Sequence, residues 1–219
     1  MYERFTRIDD LTRADHYYLE PADNCLYLGE YTARGSYAAS PTNGLIFNLK
    51  KPMNRRGRPE WMYKGRAIQQ CADALLSTIS KEGWESATFV PVPPSKVRSD
   101  PLYDDRLRRI LDIVGERYDV DIRELVVQRE STPPSHAGDD RASIDELVAN
   151  YEIERTLTTQ PFRNNRAIIF DDMLTTGRHY QAMKRVISDA IPGLEFHGLF
   201  VARRVPRSIM DIDFPTPIE

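Results

Sequence analysis

The sequence predicts an α/β fold built on an open, mostly parallel twisted sheet flanked by helices, with a small β-rich lobe at the N-terminus. Continuous apolar runs at Ala87–Val92, Ala167–Phe170 and Phe196–Ala202 are typical of strands buried on both faces. Stretches with apolar residues at helical spacing alternate with these runs, as in parallel α/β folds. The length of 219 residues, with 41% hydrophobic residues, is enough for a sizeable core.

Residues 1–60 form the predicted β-rich lobe. Short aromatic or aliphatic runs predict three strands, at Tyr17–Leu19, Cys25–Tyr31 and Leu45–Leu49. Turn-forming residues separate them, namely Pro21, Gly35, Pro41 and Gly44. We therefore expect a small antiparallel sheet in this segment.

Residues 61–206 form the predicted core. A helix is expected from Lys64 to the region of Gly83, because apolar residues recur there at the spacing of one buried stripe. The strand Ala87–Val92 follows this helix. Next come a helix at Leu102–Tyr118 and a strand at Leu125–Val127.

A long polar excursion, Gln128–Ala142, interrupts the regular alternation. A stretch of this length without a predicted element is either functional or mobile. Ser143 and Glu146 fit a capping box and predict a short helix after it. The chain ends in a proline-rich segment, 207–219, which is predicted to be a tail.

Composition and charge limit the classes of partner. The formal net charge is -3, so no global basic field favours nucleic acid or an anionic membrane. No apolar run approaches the roughly 18 residues of a membrane span, and Met1–Asp10 is too polar for a signal peptide. The isolated Cys25 and Cys71 predict neither a zinc knuckle nor a disulfide framework. We expect a cytoplasmic protein without membrane attachment.

A basic turn formed by Arg55, Arg56 and Arg58 is the local exception to this charge balance. One interpretation is a solvated loop. The other is contact with phosphate or nucleic acid. This turn is the only feature of the sequence that supports a nucleic-acid partner.

The most informative stretch is 166–190. A strand at Ala167–Phe170 is predicted to end at the adjacent carboxylates Asp171 and Asp172, and the loop Thr175–Gly177 then opens a helix. Free backbone N–H groups and the positive end of the helix dipole suit a phosphate at such a loop. The alternative is that the carboxylates are turn residues and that Thr175 or Thr176 is an ordinary N-cap.

This stretch resembles the phosphoribosyl-pyrophosphate (PRPP) signature of type I phosphoribosyltransferases, in which an apolar strand runs into two acidic residues and a Thr-Thr-Gly loop. The resemblance implies that Thr175, Thr176, Gly177, Arg178 and His179 cradle the ribose 5-phosphate of PRPP. It also implies that Asp171 and Asp172 are the catalytic carboxylates, which hold the ribose hydroxyls close to a Mg²⁺ ion. Arg178 and His179 depart from the family pattern, which has a small residue and then a hydroxyl residue.

Over roughly Cys25 to Pro206 the chain is also similar to the ComF-like branch of this family. Pro91-Val92-Pro93 matches the Pro-Val-Pro loop of that branch. By this resemblance Pro93, Ser95, Lys96 and Arg98 lie on the pyrophosphate side. A flexible hood at about 128–150 would close over PRPP through Arg129, His136 and Arg141. Two departures stand out: Tyr103-Asp104-Asp105-Arg106 replaces an Arg-Gly-Phe-Asn stretch, and the N-terminal cysteine zinc site of many members is absent.

These resemblances imply a Mg²⁺-dependent phosphoribosyltransferase that transfers ribose 5-phosphate from PRPP to an unidentified nucleophile and releases pyrophosphate. The alternative is a noncatalytic PRPP or nucleotide sensor with the same fold, acting as a regulator or partner-binding module. A homo-oligomer and a protein partner are both compatible with the sequence. If Asp171 and Asp172 repel each other, replacing both with Asn is expected to leave stability unchanged or slightly higher.

Overall fold

A computed structural model describes residues 4–132 and 142–206 of the chain. Its strands are β1 (Thr6–Arg7), β2 (Asn24–Thr32), β3 (Thr88–Pro91), β4 (Asp121–Ile122), β5 (Val126–Gln128), β6 (Tyr151–Ile153), β7 (Arg166–Leu174) and β8 (Glu195–Val205). Its α-helices are α1 (Asp10–Arg13), α2 (Pro41–Leu49), α3 (Met62–Thr78), α4 (Lys81–Glu85), α5 (Arg106–Gly115), α6 (Ile144–Asn150) and α7 (Arg178–Ala190). Short 3₁₀ turns connect several of them.

The main sheet confirms the predicted α/β class. Its six strands lie in the order β1-β2-β8-β7-β3-β4, and every neighbouring pair is parallel except β1 and β2. Strands β7 and β8 are the centre of the sheet, where Phe170 pairs with Leu199. Both of these side chains are buried. A separate two-stranded antiparallel sheet joins β5 and β6.

The predicted antiparallel lobe at residues 1–60 is wrong. Strand β2 pairs in parallel with β8 and therefore belongs to the main sheet. The run Leu45–Leu49 lies in α2 and not in a strand, because Ser40 caps this helix through Asn43 N and Pro41 occupies its first turn. Tyr17–Leu19 forms a turn after a 3₁₀ segment.

Two helix boundaries also differ from the predictions. Helix α3 ends at Thr78, and Gly83 lies inside α4, which Ser80 caps. Helix α5 is shorter than predicted and begins only at Arg106. The capping box of Ser143 and Glu146 is confirmed at the start of α6.

The connections of the sheet reverse direction between β3 and β7. From β3 the chain passes through α5 to β4 at one edge, whereas from β7 it passes through α7 to β8 on the other side. Right-handed crossovers in opposite directions place their helices on opposite faces of the sheet. Open α/β sheets bind ligands beyond the carboxyl ends of the strands at such a reversal.

Some expectations fall outside the described residues. These are the roles of His136 and Arg141 and the tail at 207–219. Within the part of the chain that the structure describes, no helix is both long enough and apolar enough to cross a membrane.

Candidate functional site

A cleft opens between the carboxyl ends of β3 and β7, where the sheet connections reverse. We call it the β3–β7 cleft. Its lining includes the loop after β3, the start of α5, and one side chain of β7. The lining residues used below are Pro93, Lys96, Arg98, Arg106 and Asp171.

The sequence predicted that strand β7 ends at the two carboxylates. Instead, the strand continues through both of them to Leu174. The reason is pairing with β8, which extends past Asp171 to the pairs Met173–Ala202 and Leu174–Arg203. Because successive side chains of a strand point to opposite faces, Asp171 and Asp172 diverge. The two carboxylates therefore do not face the same site.

Asp172 points toward α5 and the end of α2, where two cations hold it. Arg106 donates to its Oδ2 from Nε at 2.7 Å and from Nη2 at 2.6 Å, and Lys50 Nζ lies 2.8 Å from its Oδ1. The Asp172 side chain is only 2% exposed. Burial opposes its ionisation, but the charges of Arg106 and Lys50 outweigh that effect and hold the pKa of Asp172 well below its ordinary value.

The same charge network extends into the core through Asp104. Arg106 Nη1 and Lys64 Nζ each lie 2.8 Å from Asp104 Oδ2. Lys64 is fully buried, and its ammonium also donates to Leu49 O at 2.7 Å and Lys51 O at 3.1 Å. These carbonyls lie at the C-terminal end of α2, so Lys64 acts as a cation that caps this helix.

Asp171 is the carboxylate of the pair that remains available. It is partly exposed in the β3–β7 cleft, and one oxygen accepts a hydrogen bond of 2.7 Å from Asp172 N. Its other oxygen has no hydrogen bond to the residues that the structure describes. Burial, and next the charge of Asp172, raises the pKa of Asp171 to about 7.

The loop after β3 contributes cations to the opposite wall of the cleft. The ammonium of Lys96 makes no hydrogen bond or ion pair with any residue in 4–132 or 142–206. Arg98 forms a long, exposed ion pair of 3.5 Å with Glu124. Ser95 contributes its backbone instead, because its carbonyl accepts from Thr132 N at 2.8 Å. Lys96 is therefore the cation in this loop most readily available to an anion.

The loop Thr175–Gly177 joins β7 to α7 under the N-terminal segment of the chain. His16 is fully buried and its Nδ1–H donates to Thr175 O, while Tyr18 N donates to Thr176 O at 3.0 Å. Gly177 has a φ of 89°, which favours glycine, and a Cβ there would lie 2.9 Å from Leu19 Cδ2. The glycine is thus required by the backbone and by Leu19, whether or not a phosphate binds.

Donors in this loop remain unused by the protein. The backbone N–H groups of Thr175, Thr176 and Gly177 donate to no acceptor among the described residues. The hydroxyl of Thr176 is buried and also lacks a partner there. Such groups, at the N-terminus of the 13-residue helix α7, can bind an anion.

Arg178 and His179 are held by residues that flank α6 on either side. Arg178 Nη1 donates to Ala142 O at 2.7 Å, and Tyr151 OH shares a hydrogen bond of 2.9 Å with His179 Nδ1. Burial, and then the charges of Lys50 and Arg178, lowers the pKa of His179 to about 4. His179 is therefore neutral at pH 7 and lines a small hollow beside Asp171.

The predicted hood spans about 128–150, of which the structure describes 128–132 and 142–150. Within it, Ile144–Asn150 forms helix α6, which packs against α7. Arg129 lies at the base of this region. Its N–H donates to Asn150 O at 2.8 Å, whereas its guanidinium lies 3.7 Å from Glu152 in an exposed ion pair. Arg129 therefore contributes mainly to the local structure of the β5–β6 region.

A metal ion would have few protein ligands here. No group of three or more His, Cys, Asp or Glu side chains in the described ranges is arranged to hold one. Both oxygens of Asp172 already face cations, so Asp171 is the carboxylate that could reach a metal. One carboxylate fits Mg²⁺ whose remaining ligands are water and substrate diphosphate.

Several residues of the site were not predicted from the sequence, namely Lys50, Lys64, Asp104, Arg106 and Tyr151. Their partners lie far away along the chain; Arg106 and Asp172, for example, are 66 positions apart. The one local signal was the charged stretch at 104–106, which precedes an amphipathic helix.

A scan of the sequence against protein-family models finds no match, and a search of curated proteins finds none either.

Proposed function

We propose that this protein is a Mg²⁺-dependent phosphoribosyltransferase that binds PRPP at the β3–β7 cleft. One observation carries the proposal. The available carboxylate, Asp171, lies at the reversal of the sheet connections, with the loop Thr175–Gly177 following on its own strand and Lys96 on the facing loop. A phosphorylated ribose that carries a diphosphate requires an acceptor for hydroxyls and anion sites on either side.

Each group has a distinct role in this proposal. The unused N–H groups of Thr175–Gly177 bind the 5-phosphate, with the hydroxyl of Thr176 as a further donor. Asp171 accepts hydrogen bonds from the ribose hydroxyls, and Lys96 neutralises the diphosphate as it leaves. Asp172 is a positioning residue, because it fixes the end of β7 against Arg106 and Lys50. Mg²⁺, when bound, supplies charge neutralisation at the diphosphate, with Asp171 as its protein ligand.

A second candidate is a noncatalytic PRPP sensor with the same binding site. The pairing of both Asp172 oxygens favours it, because only Asp171 is then left to contact the ribose and the metal. The two candidates share ligand binding and differ in the release of pyrophosphate.

Calorimetry of the full chain with PRPP, with and without Mg²⁺, tests the shared part. We expect saturable binding that Lys96→Met weakens about tenfold or more, as the loss of one charge-assisted contact of about 1.5–3 kcal/mol implies. Lys81→Met, at an exposed position on α4 outside the cleft, is the matched control and should bind as the parent does.

A pyrophosphate-release assay over a panel of bases and amines separates the two candidates. Release identifies a transferase, and binding without release on any acceptor identifies the sensor. Absence of PRPP binding, or equal weakening by Lys96→Met and Lys81→Met, would reject the site itself.

A further inference from the structure

A surface outside the cleft combines exposed aromatic rings with cations. Phe47 on α2 is 59% exposed, and Tyr37 beside it is 54% exposed. On α3, Tyr63 is 45% exposed and the preceding Met62 is 50% exposed. Large apolar side chains are usually removed from water, so a group of them at one place suggests a partner.

These rings form one continuous surface with basic side chains. The rings of Tyr37 and Phe47 meet edge to face with centroids 5.7 Å apart. Lys51 Nζ lies 5.4 Å from the centroid of Phe47 and 5.8 Å from that of Tyr63, so it bridges the two helices. The guanidinium of Arg66 also lies 5.6 Å from the centroid of the Tyr63 ring. We call this the aromatic–basic surface; it comprises Tyr37, Phe47, Lys51, Tyr63 and Arg66, together with the arginine turn Arg55–Arg58 in the segment that connects α2 to α3.

The arginine turn is held in a defined conformation and makes only a weak contact with an acidic group. Arg58 N donates to Arg55 O at 3.1 Å, and Gly57 has a φ of 85° with open space around it. With the residues that the structure describes, the turn forms one ion pair, between Arg55 and Glu60, which is 3.9 Å long and solvent-exposed. The guanidinium of Arg56 lies 6.0 Å from the centroid of the Trp61 ring, and neither contact prevents these side chains from binding an external anion.

Charge determines what kind of partner fits. Residues 47–66 contain seven basic side chains and one acidic one, whereas the whole chain has a net charge of -3. Lys50 and Lys64 point inward to Asp172 and Asp104, which leaves five cations on the same segment as the exposed rings of Phe47 and Tyr63. A purely apolar protein partner would leave these cations uncompensated. A chain of phosphates with flat bases between them would match both the charges and the rings.

We propose that the aromatic–basic surface binds single-stranded nucleic acid, with bases stacking on Phe47 and Tyr63 and phosphates contacting Lys51 and the arginine turn. Single strands are favoured over duplexes because the bases of a duplex are already stacked and are not available to the rings. The inference does not depend on PRPP binding, because none of its contacts lies in the β3–β7 cleft.

Fluorescence anisotropy of the full chain with labelled single strands of about 16 nucleotides, one RNA and one DNA, tests the proposal. We expect binding to at least one strand, and weaker binding to a duplex of the same sequence. The variant Phe47→Leu/Tyr63→Leu keeps apolar side chains but removes the stacking faces. It should weaken binding about tenfold or more.

A charge variant tests the phosphate contacts separately. Arg55→Gln/Arg56→Gln/Arg58→Gln should weaken binding and reduce the slope of log K against log salt by about 2, at 0.7 per phosphate contact. Arg117→Gln/Arg155→Gln/Arg185→Gln removes the same charge from exposed positions elsewhere and should leave the slope unchanged. Circular dichroism melts establish that each variant is folded.

Several results would overturn the proposal. These are no binding to either strand, equal losses in the two arginine triples, or an unaltered affinity in the Phe47→Leu/Tyr63→Leu variant. Size-exclusion chromatography tests whether a second copy of the chain occupies this surface instead of nucleic acid. If the parent is a dimer and the leucine variant a monomer, a second copy of the chain occupies this surface and the proposal is wrong.

Discussion

Arg106 holds Asp172 with two nitrogens, Nε at 2.7 Å and Nη2 at 2.6 Å, across the junction between α5 and β7. Asp171, one position earlier, has no cation bonded to it in the described structure. Two neighbouring residues of the same type therefore differ in role: Asp172 stabilises the fold and Asp171 is available to a ligand.

The first prediction separates the two carboxylates by stability. Asp172→Asn removes the counter-charge of Lys50 and one of the two carboxylates that Arg106 contacts, so we expect a loss of about 3 kcal/mol or more in the free energy of unfolding. For Asp171→Asn, the free energy of unfolding at pH 7 should be equal to that of the parent or higher. Urea unfolding measures both. Equal effects of the two variants would contradict this division of roles, and a stable Asp172→Asn protein would contradict the charge network.

The second prediction concerns pH. Because the pKa of Asp171 is raised to about 7 in the folded protein, the folded state binds more protons than the unfolded state between about pH 4 and about pH 7. The free energy of unfolding attributable to this group therefore falls as pH rises through that window. Relative to the parent, the free energy of unfolding of Asp171→Asn should increase by on the order of 2–4 kcal/mol as pH rises through this window. Urea unfolding at a series of pH values measures the gain, and a constant difference between the two proteins would show that Asp171 is not perturbed in this way.

A third prediction concerns the contact between Gly177 and Leu19. Gly177→Ala forces a Cβ against Leu19 and a non-glycine residue into positive φ, so we expect a loss of about 1–3 kcal/mol. Leu19→Ala in the same chain removes the clash but not the strained φ. The double variant should therefore lose less than the sum of the two single losses. Strict additivity would mean that the two side chains do not meet. Loss of PRPP binding in a Gly177 variant would not by itself identify a phosphate site.

A fourth prediction concerns the buried Lys64. Lys64→Met keeps the length of the side chain but removes the donor to Leu49 O, Lys51 O and Asp104. We expect a loss of about 2–4 kcal/mol, because these buried acceptors lose a charged partner. Lys81→Met, at an exposed position on α4, controls for the loss of a surface lysine. A Lys64→Met protein as stable as this control would show that the buried ammonium contributes nothing net.

The sequence predicted the central strands and the long helices because their apolar periodicity is local information. Leu45–Leu49 was misassigned because a short apolar run fits a strand and a buried helix equally well. Ser40 and Pro41, just before it, were the signal for a helix start. Strand β7 was predicted too short because Asp is depleted in strands, whereas its real end is determined by pairing with β8.

The candidate site divides in the same way. The loop Thr175–Gly177 and the carboxylates could be found because they are consecutive in the chain. The cations Lys50 and Arg106 could not, since they reach Asp172 from separate helices and only the folded topology brings them together.

The charge network around Asp172 is not balanced. Three cations, Lys50, Lys64 and Arg106, face the two carboxylates Asp104 and Asp172, while Asp171 is only partly ionised near pH 7. A bound anion would supply the missing negative charge and would favour the protonated form of Asp171. Binding of an anion alone should then take up a proton from the buffer. Binding together with Mg²⁺ at Asp171 should release one, so the dependence of the calorimetric enthalpy on the ionisation enthalpy of the buffer should change sign when the metal is added.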